Sequence, residues 1–140
     1  MLKNLSPVLS GGLLPALHSL RSGESIALVS ASYPLPATAA THDVRGANIE
    51  SVADGIFSVL PLLNDATVPT LSCWLSDSSD DDAVDIAFAV NGLASDAERR
   101  RVSMSTLDDH EVVGAMIQAS VVVRVESDAT PWVFIIRAGE

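Results

Sequence analysis

The feature that most constrains the fold is a short and almost uninterrupted apolar run over residues 25–31, Ser-Ile-Ala-Leu-Val-Ser-Ala. A strand with one solvated face alternates apolar and polar residues, whereas this run is typical of a strand buried on both faces. The following residues 32–36, Ser-Tyr-Pro-Leu-Pro, force a loop at the end of the strand. A strand of this kind belongs in the interior of a sheet that is covered on both sides.

Strand-like and helical segments alternate along the rest of the chain. Apolar runs predict strands over Pro69–Leu75, Val102–Ser105, Ser120–Val125 and Trp132–Ile136. Apolar residues at helical spacing predict helices over Leu13–Leu20, from Glu50 to about Leu63, and over Thr106–Ile117. The alternation indicates an α/β layer structure, and a length of 140 residues favours one domain, residues 1–140, over two.

Particular residues mark the ends of these predicted helices. Pro15 is tolerated only in the first turn of its helix, and Gly23 is a plausible stop after it. Pro61 ends or kinks the second helix, and Thr106 is expected to cap the last one, ahead of acidic residues in its first turn. Residues 82–93 fit both a strand alternation and a helical stripe, so both interpretations stay open.

The charge balance excludes several partners. The chain has 18 acidic and 8 basic residues, a formal charge of −10, which repels phosphate backbones and anionic membrane surfaces. No apolar run approaches the ~20 residues that span a bilayer, and Pro7 and Pro15 interrupt the region where a signal-peptide core would lie. We therefore predict a cytoplasmic protein with no nucleic-acid partner and no membrane partner.

The residues that commonly bind metals are few and scattered. The single cysteine, Cys73, excludes an intramolecular disulfide, and His18, His42 and His110 show no metal-ligand spacing. The acidic run over residues 77–85 lacks the glycine and the terminal glutamate of an EF-hand loop. We interpret this run as a solvated loop that caps the following helix, and we predict no cofactor and no metal.

The apolar content suggests an assembly. Hydrophobic residues make up 48% of the chain and charged residues 19%, compared with the usual charged share of about a quarter. A domain of this size has limited interior in which to bury such a composition. Either its core is unusually aliphatic or some of its apolar surface is buried against other subunits, and we favour the second interpretation.

Several motifs along the chain form a recognisable pattern: residues 1–10 (Met-Leu-Lys-Asn-Leu-Ser-Pro-Val-Leu-Ser), Leu13-Leu14, Tyr33-Pro34 after the strand, Arg45, Asp54, Leu60-Pro61-Leu62, and the strand pair at 121–125 and 134–139. Together these motifs resemble the RbsD/FucU family, and most closely its FucU branch, the L-fucose mutarotases. The resemblance spans nearly the whole chain, although residues 77–101 match only in outline.

The resemblance implies a fold and an activity. The implied fold is a three-layer α/β/α structure whose subunits assemble into a ring-like homo-oligomer, often a decamer. The implied activity is interconversion of the α and β anomers of a monosaccharide such as fucose or ribose. That reaction requires a proton donated to the ring oxygen and another taken from the anomeric hydroxyl, for which histidine is the natural group.

Four positions depart from the family pattern in an ungapped alignment. The family's Gly-His-Gly-Asp segment falls on residues 21–24, so Ser22 stands where the catalytic histidine is implied. Ser30 takes the place of an implied sugar-binding aspartate. The family's Tyr-x-Asn falls on Pro131, Trp132 and Val133. Residues 105–110 contain neither the arginine nor the aromatic pair that the family carries before its last helix.

Other residues could take over the missing roles. A serine hydroxyl has no useful proton affinity near neutral pH, and general acid–base catalysis is worth roughly 10²–10⁴-fold in rate. His18 precedes Ser22 by four residues, one helical turn, so it is a possible substitute, although we favour its interpretation as a packed or solvated helix residue. Arg45 could hold a sugar hydroxyl or, as we favour, a carboxylate of a neighbouring subunit.

The aromatic and remaining charged residues leave further alternatives. Trp132 could stack on a sugar, or it could fill the space of the absent Tyr-x-Asn side chains. Trp74 is expected to be buried near the end of its strand. Glu24 is expected to accept hydrogen bonds from local amides, and Arg99-Arg100-Arg101 to pair with carboxylates within or between subunits.

Two classes of function follow from this sequence. One is a mutarotase-like protein that interconverts the anomers of fucose or ribose, or binds the sugar. The other is a catalytically inactive family member that acts as a small-ligand-binding or structural subunit of an oligomer.

Overall fold

The computed structural model describes residues 12–34, 41–44, 47–65 and 67–139. Residues 1–10, which carry part of the family resemblance, and Arg45 lie outside this set. The elements in chain order are α1 (Leu13–His18), β1 (Ser25–Ser30), β2 (Thr41–Val44), α2 (Ile49–Val59), β3 (Leu71–Leu75), α3 (Asp81–Glu98), β4 (Met104–Thr106), α4 (Asp109–Gln118), β5 (Val121–Val125) and β6 (Trp132–Arg137).

The six strands form one sheet in the order β2-β5-β1-β6-β3-β4. Neighbouring strands are parallel except around β6, which runs antiparallel to both β1 and β3. Five strands therefore point the same way. Their carboxyl ends and the amino end of β6 lie together, at what we call the carboxyl end of the sheet, and the opposite side is the amino end.

Strand β1 occupies the interior position that its apolar sequence predicts. All six of its residues are buried, and the stretch Ile26–Val29 is 0% exposed. Ile26 and Leu28 pack into a cluster with residues of α1, α2 and α3, whereas Ala27 and Val29 pack into a second cluster with α4. Helices thus cover both faces, which confirms the predicted three-layer α/β/α fold.

Helix α3 resolves the ambiguous stretch in favour of a helix. Its buried stripe consists of small residues and one valine: Ala83, Ala87, Val90 and Ala94. This stripe lets α3 pack against α2, while Phe88, which an alternating strand pattern would bury, is 71% exposed. The strand interpretation of residues 82–93 is therefore wrong, because the periodicity that buries side chains here is helical.

The expected cap of the last helix is also wrong. Thr106 is the last residue of β4, and Asp108 is the residue that caps α4. The Asp108 carboxylate accepts the backbone N–H groups of His110 and Glu111, and the Glu111 side chain accepts the N–H of Asp108 at 3.0 Å. This reciprocal capping box satisfies more donors than a threonine two residues earlier could reach.

Strand β2 was not predicted from the sequence. Its four residues, Thr-His-Asp-Val, carry no apolar run that would predict a strand. Among the described residues, the strand lies at the lateral edge of the sheet, where it pairs with β5. Edge strands are half solvated, so their sequences lack the apolar signal of interior strands.

The second predicted helix ends as its proline requires, since α2 stops at Val59, two residues before Pro61. Its first turn is held by Asn48, whose side chain accepts the N–H of Ser51 at 2.8 Å. None of the helices in the described ranges has the length and apolar character needed to cross a membrane.

Candidate functional site

Ser30 and the segment before β6 meet at the carboxyl end of the sheet. The regular pairing of β1 with β6 ends at Val29 and Val133, and the Ser30 hydroxyl then accepts the backbone N–H of Trp132 at 3.0 Å. Ser30 is 0% exposed, and its Oγ lies 3.3 Å from Ser32 Oγ. The hydroxyl thus joins two strands, and it supplies the hydrogen-bond acceptor that the buried backbone N–H of Trp132 needs.

Trp132 is fully buried in the larger core cluster. Its indole N–H donates to Ser127 Oγ at 3.0 Å, and its ring packs against Phe134 with centroids 5.3 Å apart. In this position the ring fills core space, and a ligand could reach its face only after core residues move. The stacking of Trp132 on a sugar stays a prediction.

The two residues beside Trp132 also sit at the carboxyl end. The carbonyl of Pro131 accepts the N–H of Ser76 at 2.9 Å, which ties the start of β6 to the segment after β3. Val133 is buried on the α4 face, in register with Val29 on one side and Trp74 on the other. The family-aligned positions Ser30, Pro131, Trp132 and Val133 are therefore neighbours in space.

His18 and Ser22 lie at the other end of the sheet. His18 is the last residue of α1, and Ser22 belongs to the turn that leads into β1. Both are exposed. Five residue steps along β1, at about 3.3 Å each, put about 17 Å between the two ends. Within one chain, Ser22 and Ser30 cannot line the same pocket.

Glu24 accepts the local hydrogen bonds expected of it. One carboxylate oxygen accepts the N–H of Arg21 at 2.7 Å, and the other accepts the hydroxyl of Ser120 at 2.8 Å. The Arg21 amide and the Ser120 hydroxyl lower the pKa of Glu24 below its ordinary value. This side chain is consequently ionised at neutral pH and is a poor proton donor.

A cluster of aromatic and acidic side chains lies at the carboxyl end of the sheet and was not predicted from the sequence. The indole N–H of Trp74 donates to Asp109 Oδ1 at 2.8 Å, and the rings of Trp74 and Tyr33 meet edge to face at 5.4 Å. Trp74 is half-buried, which corrects the expectation of a buried tryptophan. The strand alternation offered a signal, because Trp74 points to the face opposite Cys73 and Leu75.

A polar cavity lies at the same end beside the lateral edge strand. Its volume is about 160 Å³, and it is lined by Ala31, Asp43, Val44, Arg124 and Glu126. Arg124 binds the Asp43 carboxylate through two nitrogens, one of them at 3.1 Å from Oδ2. This bidentate pairing raises the pKa of the Arg124 guanidinium and fixes both side chains at the wall of the cavity.

A second cavity is apolar. It has a volume of about 240 Å³, lies between α3 and strands β3 and β4, and has the exposed Phe88 and the buried Cys73 in its lining. Burial raises the pKa of the Cys73 thiol to about 12, so the thiol stays protonated. The described residues that line this cavity carry no charge, so it offers little to a ligand that is rich in hydroxyl groups.

The histidines are distributed over both ends of the sheet. His42 lies in β2, half-buried, with its ring beside the backbone of Gly12. His110 is exposed in the first turn of α4, next to Asp109 and therefore at the carboxyl end. In the described part of the chain, no three His, Cys, Asp or Glu side chains cluster as a metal site would require.

The acidic run acts as the predicted capping loop. Asp80 caps α3 through Asp82 N–H, and its other oxygen accepts the N–H and the hydroxyl of Thr130 at 2.9 and 2.7 Å. Asp77 accepts the N–H and the hydroxyl of Ser79. These donors lower the pKa values of both aspartates, which are thereby committed to the loop.

The basic cluster is likewise tied into the chain. Arg100 donates to the carbonyl of Leu63 at 3.0 Å and forms an ion pair with Glu98 at 3.5 Å. Arg99 adopts the left-handed conformation, φ 54°, that closes α3. The predicted pairing of this cluster with a carboxylate is confirmed within the chain for Arg100.

Comparison of the fold with solved structures gives several full-length matches, whereas no family model and no curated protein sequence matches the chain. The fucose mutarotase of Streptococcus pneumoniae, solved with L-fucose, superposes with a TM-score of 0.82 at 22% identity, covering 99% of each chain. FucU from Bifidobacterium longum superposes with a TM-score of 0.80 at 19% identity, covering 98% of each chain.

Bacillus subtilis RbsD, solved with D-ribose, superposes with a TM-score of 0.75 at 18% identity, covering 100% of this chain and 98% of that chain. The architecture is therefore shared with proteins whose structures hold a monosaccharide. More specifically, the chain has the RbsD/FucU fold, as the sequence resemblance predicted.

Proposed function

We propose that this chain binds a monosaccharide of the fucose or ribose type at the carboxyl end of its sheet. The observation that carries the proposal is the meeting of the family-aligned residues Ser30, Pro131 and Val133 with polar side chains at that end, in a fold shared with sugar-bound proteins. Ligands of open α/β sheets generally bind outside the carboxyl ends of the strands.

Binding without turnover is the function that a single chain supports best. The Ser30 hydroxyl is occupied by the Trp132 N–H, and Glu24 is ionised and hydrogen-bonded at the opposite end. His18 and Ser22 also lie at that opposite end. One chain therefore does not bring the proposed proton-transfer residues to the proposed sugar site.

Mutarotation is the second candidate, and it requires an assembly. His18 is exposed at the amino end, where a neighbouring copy could bring its own carboxyl end against it. The resemblance implies a ring-like homo-oligomer, often a decamer, and such an assembly would create this contact. Imidazole is the side chain best suited to proton transfer near neutral pH. The contact of Arg45 with a sugar hydroxyl or with a carboxylate of a neighbouring subunit stays a prediction. The cytoplasmic location of the protein also stays a prediction.

Two NMR measurements separate these functions. Titration of the protein with L-fucose and with D-ribose should shift backbone amide signals around Ser30 and Val133 in a saturable manner. The absence of shifts with both sugars would overturn the binding proposal. Saturation transfer between the α and β signals of each sugar then tests for mutarotation, with His18→Ala and His110→Ala as matched variants at the two ends of the sheet.

The expected results differ for the two candidates. A binding protein leaves anomeric exchange at the background rate in all three proteins. A mutarotase whose site is formed by two copies accelerates anomeric exchange, and the His18→Ala variant loses that acceleration. Its molar mass by light scattering exceeds the 14.6 kDa of one chain. Acceleration that survives in both variants would contradict a histidine-based mechanism at either end.

A further inference from the structure

We propose that Trp74 is the residue on which the sugar stacks, and that Asp109 both holds the indole ring and accepts a hydrogen bond from a sugar hydroxyl. This inference rests on the proposed function and names the residues that determine its ligand class, a monosaccharide in its pyranose ring form. It gives the stacking role, which the sequence left open for Trp132, to a tryptophan on another strand.

The placement of Trp74 supports this assignment. It is the penultimate residue of β3, and its register partner is Val133, which is paired in turn with Val29 of β1. Trp74 thus sits on the α4 face of the sheet, directly beside a family-aligned site position. Ser30, at the end of β1, is the residue after Val29, so the ring lies at the carboxyl end where the sugar is proposed to bind.

Exposure separates this tryptophan from the other one. Trp132 is 0% exposed and packs against Phe134, whereas Trp74 is half-buried. Its edge-to-face contact with Tyr33 covers at most one face of the indole ring, because such a contact places the edge of one ring on a face of the other. Of the two tryptophans, Trp74 is therefore the one that is partly exposed in the folded chain.

The ring is also held rigidly in place. The 2.8 Å hydrogen bond from its Nε1 to Asp109 fixes the polar edge, and Tyr33 fixes the ring from a different direction. A side chain already ordered in its binding conformation loses little entropy when the ligand arrives. The aromatic cluster therefore has the preorganisation expected of a binding surface.

The chemistry of the cluster matches a pyranose. The faces of a pyranose ring carry C–H groups, and its perimeter carries hydroxyl groups. An aromatic face contacts the C–H groups, and a carboxylate at the edge of that aromatic accepts hydroxyl protons. Oδ1 of Asp109 accepts the indole N–H, and a carboxylate has acceptor capacity on both oxygens, so sugar and indole can share this residue.

The test measures the affinity for L-fucose and for D-ribose in the wild-type protein and in four variants. Trp74→Ala removes the ring, Trp74→Phe keeps an aromatic face without the N–H, and Asp109→Asn keeps an oxygen acceptor for the indole but removes the charge. Phe88→Ala is the matched control, because it removes an exposed aromatic from α3 on the other face of the sheet.

We expect Trp74→Ala to weaken binding of the preferred sugar roughly tenfold and Trp74→Phe roughly two- to fourfold. Asp109→Asn should weaken binding while leaving the thermal melting temperature close to that of the wild type, and Phe88→Ala should bind as the wild type does. If Trp74→Ala fails to fold, Trp74→Phe and Asp109→Asn carry the test.

The outcomes distinguish this inference from the proposed function. Wild-type affinity in every Trp74 and Asp109 variant would overturn the inference and leave the monosaccharide-binding proposal intact. Absence of binding of either sugar by the wild-type protein would overturn both.

Discussion

The hydroxyl of Ser30 accepts the backbone N–H of Trp132 at 3.0 Å, at the point where the main-chain pairing of β1 and β6 ends. The side chain of one strand thus adds one further hydrogen bond to the pairing of two interior strands. A position where the family resemblance implies a ligand-binding carboxylate serves here as part of the sheet.

Substitution of Ser30 should therefore affect stability. In Ser30→Ala the Trp132 N–H, buried at this point, loses its acceptor, and we expect the free energy of unfolding to fall by about 1–3 kcal/mol. Urea denaturation measures this change. The control is Ser32→Ala, which removes an exposed hydroxyl 3.3 Å away and should alter stability by no more than about 0.5 kcal/mol. Equal effects of both substitutions would contradict the assignment.

Acid should destabilise the loop before α3 through Asp80. Hydrogen bonds from Thr130 lower the pKa of Asp80 in the folded chain below its ordinary value. A carboxylate whose pKa is lowered on folding contributes stability above its unfolded pKa, and that contribution disappears as the pH falls through the folded pKa.

The measurement is the melting temperature of the wild type and of Asp80→Asn between pH 2 and pH 6, about two units on either side of the ordinary aspartate pKa. The wild type should be the more stable protein at pH 6, and the difference should shrink toward pH 2. Asp54→Asn is the control, since Asp54 is an exposed residue of α2. A difference that does not depend on pH would rule out Asp80 as the source of the acid sensitivity.

Two glycines should respond oppositely to alanine. A Cβ at Gly139 would lie 2.5 Å from the carbonyl oxygen of Leu62, which is backbone and cannot move aside cheaply. Gly139→Ala should therefore destabilise the chain by about 1–3 kcal/mol, as insertion of an extra methyl group into a packed site does.

Gly114 is the matched control for Gly139. It is exposed within α4, and a Cβ there meets no atom within 4 Å. Gly114→Ala should raise the free energy of unfolding by about 0.5–1 kcal/mol, because alanine loses less backbone entropy in a helix. Denaturation curves of both variants check the pair, and a stabilised Gly139→Ala would show that the close approach to Leu62 is absent.

The sequence predicted the elements whose burial is strongest. Interior strands such as β1, β5 and β6 carry apolar runs, and α2 shows a one-sided apolar stripe that ends before Pro61. The edge strand β2 carried no such signal, because half of it faces solvent. The cap of α4 was placed two residues early, since both Thr106 and Asp108 are good capping residues and only the length of β4 decides between them.

The candidate site was harder to predict because it depends on topology. Trp74 and Asp109 are 35 residues apart, and no local pattern indicates their hydrogen bond. Ser22 and Ser30 are close in sequence, yet the strand between them carries them to opposite ends of the sheet. Only the order and direction of the strands reveal which of these residues share a surface.

The reversed direction of β6 has a consequence for how such a protein can change its ligand. Because β1 lies between β5 and β6, the connecting segment 126–131 crosses over the end of β1, directly above Ser30. This bridge passes the proposed sugar site without being part of the sheet. Ser127 and Thr130 within it are committed to hydrogen bonds with Trp132 and Asp80, whereas Glu126 and Asp128 are exposed. These two exposed positions can therefore vary while the six strands keep their register, which makes them the natural place to redesign specificity.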